Sequence, residues 1–305
     1  MVKFSLVLLS IFTALNIFQS FYNNEPGHYA LQYTAAENPS VPFNSIIIGT
    51  SHATHGIRPA VISDNQAQYY NFALNGGNSQ FYLDWWDRVL LPNHPKIDRC
   101  IVSVDNFFVG TKNLRKLEQD AEHFSADLIN QLFLDDTATA KGEILVNLLP
   151  ALKYRTRILE SLQLSQGDND YLMKEYDNGF VPFETPRDEK LFRPLQKKDR
   201  GISEIQKGHF VKLLQRISQS VNDIVLVIPP EYGTDQNEYK SLREFLQFIQ
   251  SQSGIVFLDF NGPLSQPEFQ DASNYSDPMH LNGKGSLLFS EYLGTALDSC
   301  CRASE

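Results

Sequence analysis

Residues 45–52 have the sequence S-I-I-I-G-T-S-H, in which a short β-branched run leads into a glycine and three polar residues. Continuous apolar runs of this kind are typical of strands covered on both faces, as in a parallel sheet. Gly49 permits a tight turn, which leaves Ser51 at the edge where open α/β sheets bind ligands. The stretch therefore predicts a buried strand and a candidate functional serine, although a serine here could simply cap the next helix.

Four more apolar runs predict strands of the same sheet, and they cover residues 69–74, 99–105, 223–229 and 255–260. Helical patterns lie between or after these runs, over residues 80–91, 202–221, 239–253 and 284–297. Because strands alternate with helices, the sequence predicts a doubly wound α/β fold. We expect a flavodoxin-like, five-stranded parallel sheet with right-handed crossovers.

The stretch between the third and fourth strands, residues 111–201, is much longer than a simple crossover needs. It contains helical patterns over 121–134 and 144–164, followed by an irregular segment over 167–200 that is rich in Asp, Pro and Lys. We expect this stretch to be a helical insertion that caps the carboxyl edge of the sheet, where such folds bind ligands.

An apolar run near the N-terminus, residues 4–22, follows a single cation, Lys3. Its length approaches the roughly 20 residues that cross a bilayer core, and the preceding cation favours export of the chain that follows. We therefore predict a single-pass protein of the cell membrane, with a signal anchor over 1–24, a polar tether over 25–44 and an extracytoplasmic domain over 45–298. Two alternatives remain, a cleaved signal peptide and an amphipathic helix packed on the domain.

The chain of 305 residues carries a net charge of −10 and has a pI of about 5.2. This sign is opposite to that of proteins that grip phosphate backbones, so we expect no nucleic-acid partner. The three cysteines show no C-x-x-C spacing and indicate neither a zinc site nor a disulfide framework. His52 and His55 have no third ligand at a recognisable spacing, so we expect no metal.

The second informative stretch is D-P-M-H-L-N at residues 277–282, after the last strand and before the last helix. An acid three residues before a histidine, in a turn held by a proline, can direct its carboxylate at the imidazole. That contact selects the tautomer whose other nitrogen accepts a proton from a serine. We therefore predict that Ser51, Asp277 and His280 form a catalytic triad. The alternative is that Asp277 caps a turn and His280 lies on the surface.

Together, G-T-S-H at 49–52 and D-P-M-H-L-N at 277–282 resemble the SGNH or GDSL hydrolase superfamily over roughly residues 44–298. In that superfamily the nucleophilic serine follows the first strand, and a D-x-x-H motif near the C-terminus completes the triad. The resemblance implies a serine-dependent esterase or O-acyltransferase that needs no metal and no organic cofactor. Hydrolysis and transfer differ only in whether water or a hydroxyl accepts the acyl group, and the sequence leaves both open.

The second conserved block of the superfamily supplies a backbone donor to the oxyanion, in addition to the N–H of Ser51. The corresponding sequence here is N-F-A-L-N-G-G-N at residues 71–78, in which the resemblance implies Gly76 or Gly77 as the donor. Two polar side chains beside these donors are expected to contact the substrate, namely His52 and Asn75.

The third block usually has the pattern G-x-N-D, and its asparagine side chain donates to the oxyanion. The sequence here is V-D-N-F-F at residues 104–108, so that Asn106 falls at the asparagine if Val104 replaces the glycine. Asp105 competes for the same position, and an ionised carboxylate would repel an oxyanion. We favour Asn106 as the third donor.

The arrangement of anchor, serine block, third block and insertion is similar to that of membrane-anchored SGNH-like proteins of bacterial cell-envelope polysaccharide machinery. Examples of that branch are alginate-type O-acetylation proteins and the D-alanyl transfer proteins of teichoic acids. The resemblance implies an acylated carbohydrate or another small ester as substrate, and the membrane as a partner through the N-terminal helix. The alternative from another class is a catalytically silent SGNH scaffold that binds or assembles envelope polysaccharide.

Overall fold

The computed structural model describes residues 28–110, 115–134, 138–148, 177–183, 192, 199, 201–233 and 237–301. The chain forms two compact units. The smaller comprises Met1–Thr34 and Lys116–Lys174, and the larger comprises Ala35–Arg115 and Glu175–Glu305. The predicted anchor over 1–24 lies outside the described residues, within which no helix has the length and apolarity needed to span a bilayer.

The larger unit is built on a five-stranded parallel sheet, as predicted. Its strands are β1 (Ser45–Ile48), β2 (Tyr69–Asn71), β3 (Ile97–Ser103), β4 (Val221–Ile228) and β5 (Val256–Asp259). Their order across the sheet is β2-β1-β3-β4-β5, so the direction of winding reverses between β1 and β3. Open α/β sheets bind ligands at such a switch point, outside the carboxyl ends of the strands.

The second strand is shorter than predicted, because it ends at Asn71 rather than at residue 74. The Asn71 side chain accepts the N–H of Ala73 at 2.9 Å and donates to the carbonyls of Ala53 and Ile57 at 2.8 and 3.0 Å. A side chain that bonds to the backbone two residues on turns the chain out of the strand. The other strand ends lie within two residues of the predicted ones.

Nine α-helices lie within the described residues. They are α1 (His28–Glu37), α2 (Ser51–Gly56), α3 (Pro59–Ile62), α4 (Ser79–Trp85), α5 (Ala126–Leu134), α6 (Ala138–Leu148), α7 (Glu204–Ile217), α8 (Lys240–Ser253) and α9 (Gly283–Cys301). The polar tether predicted over 25–44 thus contains a ten-residue helix, α1. Two of its apolar residues, Tyr33 and Ala36, are both buried and are three apart, the spacing of one face of a helix.

The predicted helix over residues 80–91 is an α-helix, α4, followed by a π-helical turn, Trp86–Leu90. The N–H of Leu91 bonds to the carbonyl of Trp86, five residues earlier, at 3.0 Å. The extra residue in this turn lets Trp86, Val89 and Leu90 all remain fully buried.

The smaller unit is helical in its described part. A 3₁₀ helix, Leu117–His123, precedes α5 and α6. The Tyr33 hydroxyl donates to Asp120 at 2.8 Å, and the Tyr33 ring stacks on that of His123 with centroids 6.2 Å apart. The helical pattern predicted over 144–164 is described only as far as residue 148, and most of the irregular segment predicted over 167–200 lies outside the described residues.

The core of the larger unit fixes the two ends of the chain that carry the predicted triad. Leu281 and the α9 residues Phe289 and Leu293 are buried in one apolar cluster with Ile47 of β1 and Ile101 of β3. Burial of apolar surface is the main favourable term in folding, so this cluster holds Leu281 and α9 against the sheet. Because His280 directly precedes Leu281, packing of that leucine places the histidine beside the carboxyl end of β1.

Candidate active site

Ser51 lies just past the end of β1, at the first position of α2. The N-cap of this helix is Thr50, whose hydroxyl oxygen accepts the N–H of His52 at 3.3 Å. The possibility that Ser51 itself caps the helix is therefore excluded. Its hydroxyl is directed instead at His280, with 2.8 Å between Ser51 Oγ and His280 Nε2.

The Asp277 carboxylate contacts the other ring nitrogen of His280, at 2.8 Å between Oδ2 and Nδ1. Its second oxygen accepts the N–H groups of Met279 and His280 at 2.8 and 2.9 Å. Although burial acts to raise it, the hydrogen bonds and charge of His280 bring the pKa of Asp277 below its ordinary value. A carboxylate accepts only, so His280 carries a proton on Nδ1 and presents the Nε2 lone pair to the serine.

Asp277 and His280 belong to a short antiparallel pair, β6 (Tyr275–Asp277) and β7 (His280–Leu281). The turn between these strands is held from outside, because the N–H of Tyr232 donates to the Pro278 carbonyl at 2.9 Å. The side chains of His280 and Asp277 remain 18% and 25% exposed. The pair is therefore rigid but open to a ligand from solvent.

Three aromatic rings surround that of His280. Its centroid lies 5.0 Å from that of Phe183, 5.3 Å from that of His52 and 5.7 Å from that of His55. Phe183 belongs to a segment, residues 177–183, that the sequence places in the predicted capping insertion. We did not identify Phe183 as a site residue, although the Asn178-Gly179 pair nearby is a strong turn signal.

The segment 177–183 is held to the sheet by its backbone. The N–H of Asn71 donates to the Asn178 carbonyl at 2.7 Å, and the N–H of Val181 donates to the Thr54 carbonyl at 3.0 Å. His55 Nδ1 lies 2.8 Å from the Val181 carbonyl, so this nitrogen carries the ring proton. Burial lowers the pKa of His55 to about 4, which makes it a neutral imidazole at physiological pH.

Asp105, the competitor for the oxyanion position, is fully engaged elsewhere. Its Oδ1 accepts the N–H groups of Phe107 and Phe108 at 2.7 and 2.9 Å. Its Oδ2 accepts the Thr50 hydroxyl and lies 2.7 Å from Nδ1 of His52. Burial acts to raise the pKa of Asp105, but the charge and hydrogen bonds of His52 bring it below its ordinary value.

Asn106 is 8% exposed, and both polar atoms of its amide are buried without a hydrogen-bond partner within the part of the chain that the structure describes. Unpaired buried amide groups are costly and uncommon, so an unpaired Nδ2–H is a candidate donor to a ligand oxygen. Thr50 contacts Asp105, and these two residues directly precede Ser51 and Asn106. The contact between Thr50 and Asp105 brings the chain at Asn106 close to the chain at Ser51, and Asp105 itself is already paired.

The glycine pair after β2, Gly76 and Gly77, lies in a tight turn. The Gly77 N–H donates to the Leu74 carbonyl at 2.8 Å and is therefore engaged within the turn. Gly76 has a φ of +78°, a left-handed conformation that favours glycine. The adjacent Asn75 has a buried Oδ1 that meets no partner among the described residues, consistent with its predicted contact to a ligand.

His52 differs from its predicted role as a substrate contact. It is 4% exposed, with Nδ1 2.7 Å from Asp105 and Nε2 2.8 Å from Glu231. Both ring nitrogens therefore face buried carboxylates rather than solvent. Burial acts to lower its pKa, but Asp105 and Glu231 together raise the pKa of His52 to about 10, so the ring is an imidazolium. Glu231 was not identified from the sequence, because it lies far along the chain and has no motif around it.

No group of three His, Cys, Asp or Glu side chains among the described residues is arranged to hold a metal ion. The fold and the geometry together define a doubly wound α/β protein with a Ser–His–Asp arrangement at the switch point of its sheet.

A scan against models of protein families finds no match, and a search of curated proteins finds no similar sequence. Similar solved structures include one provisionally named a lipolytic protein of the G-D-S-L family from Desulfitobacterium hafniense. Its identity is 14% and its TM-score 0.43, and the match covers 83% of this chain and 99% of that one.

Two others are a provisionally named acylhydrolase from Bacteroides fragilis and a catalytic mutant of an acetylxylan esterase from Geobacillus stearothermophilus. The first has 12% identity and a TM-score of 0.44, with 89% of this chain and 94% of that one covered. The second has 10% identity and a TM-score of 0.39, with 84% and 93% covered. At these identities and TM-scores, the likeness to these structures carries no argument about function.

Proposed function

We propose that this protein is an SGNH-type serine esterase or O-acyltransferase, with Ser51 as nucleophile, His280 as base and Asp277 as the residue that orients it. The observation that carries the proposal is the unbroken chain of contacts from Ser51 Oγ through His280 to Asp277, with both distances 2.8 Å. A serine is a weak nucleophile at its own pKa, and an adjacent, correctly oriented base is what activates it.

In the acylation step, Ser51 Oγ forms a bond to the acyl carbonyl carbon and its proton passes to His280 Nε2. Asp277 stabilises the resulting imidazolium through Nδ1. The carbonyl oxygen becomes an oxyanion, which the N–H groups of Ser51 and Gly76 and the Asn106 amide would hold. Collapse breaks the bond to the leaving alkoxide, which takes the proton from His280 and leaves an acyl-serine.

In the second step, His280 accepts a proton from water or from a hydroxyl, whose oxygen bonds to the acyl carbon. The bond from that carbon to Ser51 Oγ then breaks, and His280 returns the proton to Oγ. Water gives hydrolysis, and a sugar hydroxyl gives transfer. We propose an acylated cell-envelope glycan or a related ester as the substrate. This narrower assignment is supported by the similarity in arrangement to envelope O-acetylation proteins and by the apolar run over residues 4–22.

The test is covalent labelling of the full-length protein, in detergent micelles, by a fluorophosphonate probe. The probe requires an activated serine but no particular acceptor, so it also reports a transferase that hydrolyses model esters poorly. We expect labelling of the wild type and none of Ser51→Ala. Ser218→Ala should label normally, because Ser218 is an exposed serine whose hydroxyl donates to the Gln215 carbonyl. A folded wild type that stays unlabelled from neutral to mildly alkaline pH would indicate the silent scaffold instead.

The proposed location has its own test. A periplasmic reporter enzyme fused to the C-terminus should be active, and alkaline carbonate should leave the protein in the membrane fraction. A shortened protein released in soluble form would indicate a cleaved signal peptide. An inactive reporter in a fusion protein that is expressed at full length would contradict both the anchor and the signal peptide.

A further inference from the structure

A buried group of three ionisable side chains lies beside the triad and takes no part in the proton transfers described above. We define the His52 cluster as Asp105, His52 and Glu231, which are 1%, 4% and 1% exposed. The two ring nitrogens of His52 lie 2.7 Å from Asp105 and 2.8 Å from Glu231. Glu231 also accepts the hydroxyl of Tyr239.

Stability alone does not account for this cluster. Three charged groups lose their hydration on burial, and well-packed apolar side chains of the same volume are often as stable or more stable. What a buried charged network can supply is a defined position for the elements that carry it. The elements that the His52 cluster joins are the segments around Ser51 and Asn106.

Asp105 contacts both of these segments through its two carboxylate oxygens. Thr50 and His52, the two neighbours of Ser51 in the chain, both contact Oδ2 of Asp105. The other oxygen, Oδ1, accepts the N–H groups of Phe107 and Phe108, which follow Asn106. The Asp105 carboxylate therefore contacts the residues before and after Ser51. It also bonds to the backbone that follows Asn106, the candidate oxyanion donor.

Glu231 adds a contact from the carboxyl end of a further strand, β4. It follows β4, whereas Asp105 follows β3 and His52 follows β1. Glu231 Oε1 lies 2.8 Å from Nε2 of His52, an ion-pair contact on the side of the ring away from Asp105. The cluster thus joins the carboxyl ends of three adjacent strands at the switch point of the sheet.

We propose that His52 is a positioning residue, which through Asp105 and Glu231 sets the Asn106 amide relative to Ser51 and so assembles the oxyanion hole. This inference rests on the proposed function, since it assumes that an oxyanion forms at Ser51. His52 acts through Asn106 and does not itself touch the substrate.

The test is a double-mutant cycle on kcat/KM for p-nitrophenyl acetate, measured with the full-length protein. Asn106→Ala should lower kcat/KM about 10²- to 10³-fold, the usual loss for one oxyanion donor. His52→Gln should lower it at least about tenfold, mainly through kcat. If His52 acts through Asn106, the double variant should be no slower than Asn106→Ala, within about twofold. Losses that multiply, or an Asn106→Ala variant as fast as the wild type, would overturn the inference.

Asp223→Asn is the matched control. Asp223 pairs with Arg99 at 3.2 Å and joins the same two strands, β3 and β4, at the opposite end of the sheet. This variant should leave kcat/KM unchanged, both in the wild-type protein and in combination with Asn106→Ala.

Removing one partner of a buried ion pair can prevent folding, so Glu231→Gln provides a second cycle with Asn106→Ala. It keeps the shape of the side chain and an acceptor for Tyr239, and the same non-additive result is expected. A wild type that shows no labelling of Ser51 would reject the proposed function, whereas labelling and turnover with multiplying losses would reject only the role of His52.

Discussion

The Oγ atom of Ser51 lies 2.8 Å from Nε2 of His280, although 229 residues separate the two in the chain. The contact exists because β1 ends directly before Ser51, and the short β6–β7 pair brings His280 to the same edge of the sheet. Its geometry is that of a hydroxyl donating to the free nitrogen of an imidazole whose other nitrogen faces a carboxylate.

Asp277→Asn should lower kcat/KM for p-nitrophenyl acetate by about 10⁴-fold, because an amide can select the wrong tautomer of His280. His280→Ala should be at least as severe. The control is Asp271→Asn, since Asp271 also caps a short turn, through Ser273, but lies outside the triad. A loss of less than tenfold for Asp277→Asn in a folded protein would argue against the proposed triad.

The stability of the protein should fall as pH rises from about 6.5 to 10 because of His52. Its pKa is raised from 6.5 to about 10 in the folded state, so its contribution is complete below pH 6.5 and disappears as pH approaches 10. The double variant Asp105→Asn/Glu231→Gln removes both carboxylates that raise this pKa, and should lose that part of the alkaline slope. The measurement is the thermal unfolding midpoint at intervals across this range, with Asp223→Asn as the variant that keeps the wild-type slope.

At acid pH, His55 should make the stability of the protein fall as pH decreases, the opposite dependence to that of His52. Burial lowers its pKa from 6.5 to about 4, so the stability it contributes is complete above pH 6.5 and is lost as pH falls through that interval. The slope for one proton is at most about 1.4 kcal/mol per pH unit. In His55→Asn, the shorter amide can still donate to the Val181 carbonyl but does not titrate. Its denaturant unfolding free energy should depend less on pH between 4 and 6.5 than that of the wild type, and equal slopes would contradict this account.

Gly179→Ala should destabilise the segment 177–183 and reduce activity through Phe183. Gly179 has a φ of +90°, and a Cβ atom there would lie 1.9 Å from the Asn71 carbonyl oxygen. The matched control is Gly233→Ala, at which φ is +65° but nothing lies within 4 Å of the added atom. The control should cost about 1–2 kcal/mol for the left-handed conformation alone, and Gly179→Ala should cost more. Equal losses in the two unfolding free energies would show that the close approach to Asn71 is relieved without cost.

Local features of the sequence were sufficient to predict the strand that precedes Ser51 and the five-stranded parallel sheet. Continuous β-branched runs are recognisable without knowledge of the fold, because burial on both faces imposes them on each strand separately. The Asp277–His280 contact is similarly local, since three residues and a proline turn bring the two side chains together. The end of β2 was missed because the Asn71 side chain, rather than a Gly or Pro, ends that strand.

The sequence alone did not separate Asp105 from Asn106, because either neighbour could occupy the position in the third block and their partners lie elsewhere in the chain. Those partners include Thr50, 55 residues away in the chain. The same holds for His52. Its type and its position beside Ser51 predict a ligand contact, whereas in the folded chain its second nitrogen lies beside Glu231. Hydrophobic periodicity is a property of one segment, and so the sequence determined the sheet and the order of the candidate triad. Pairing of buried charges is a property of several strand ends brought to one edge, and only the folded chain decided it.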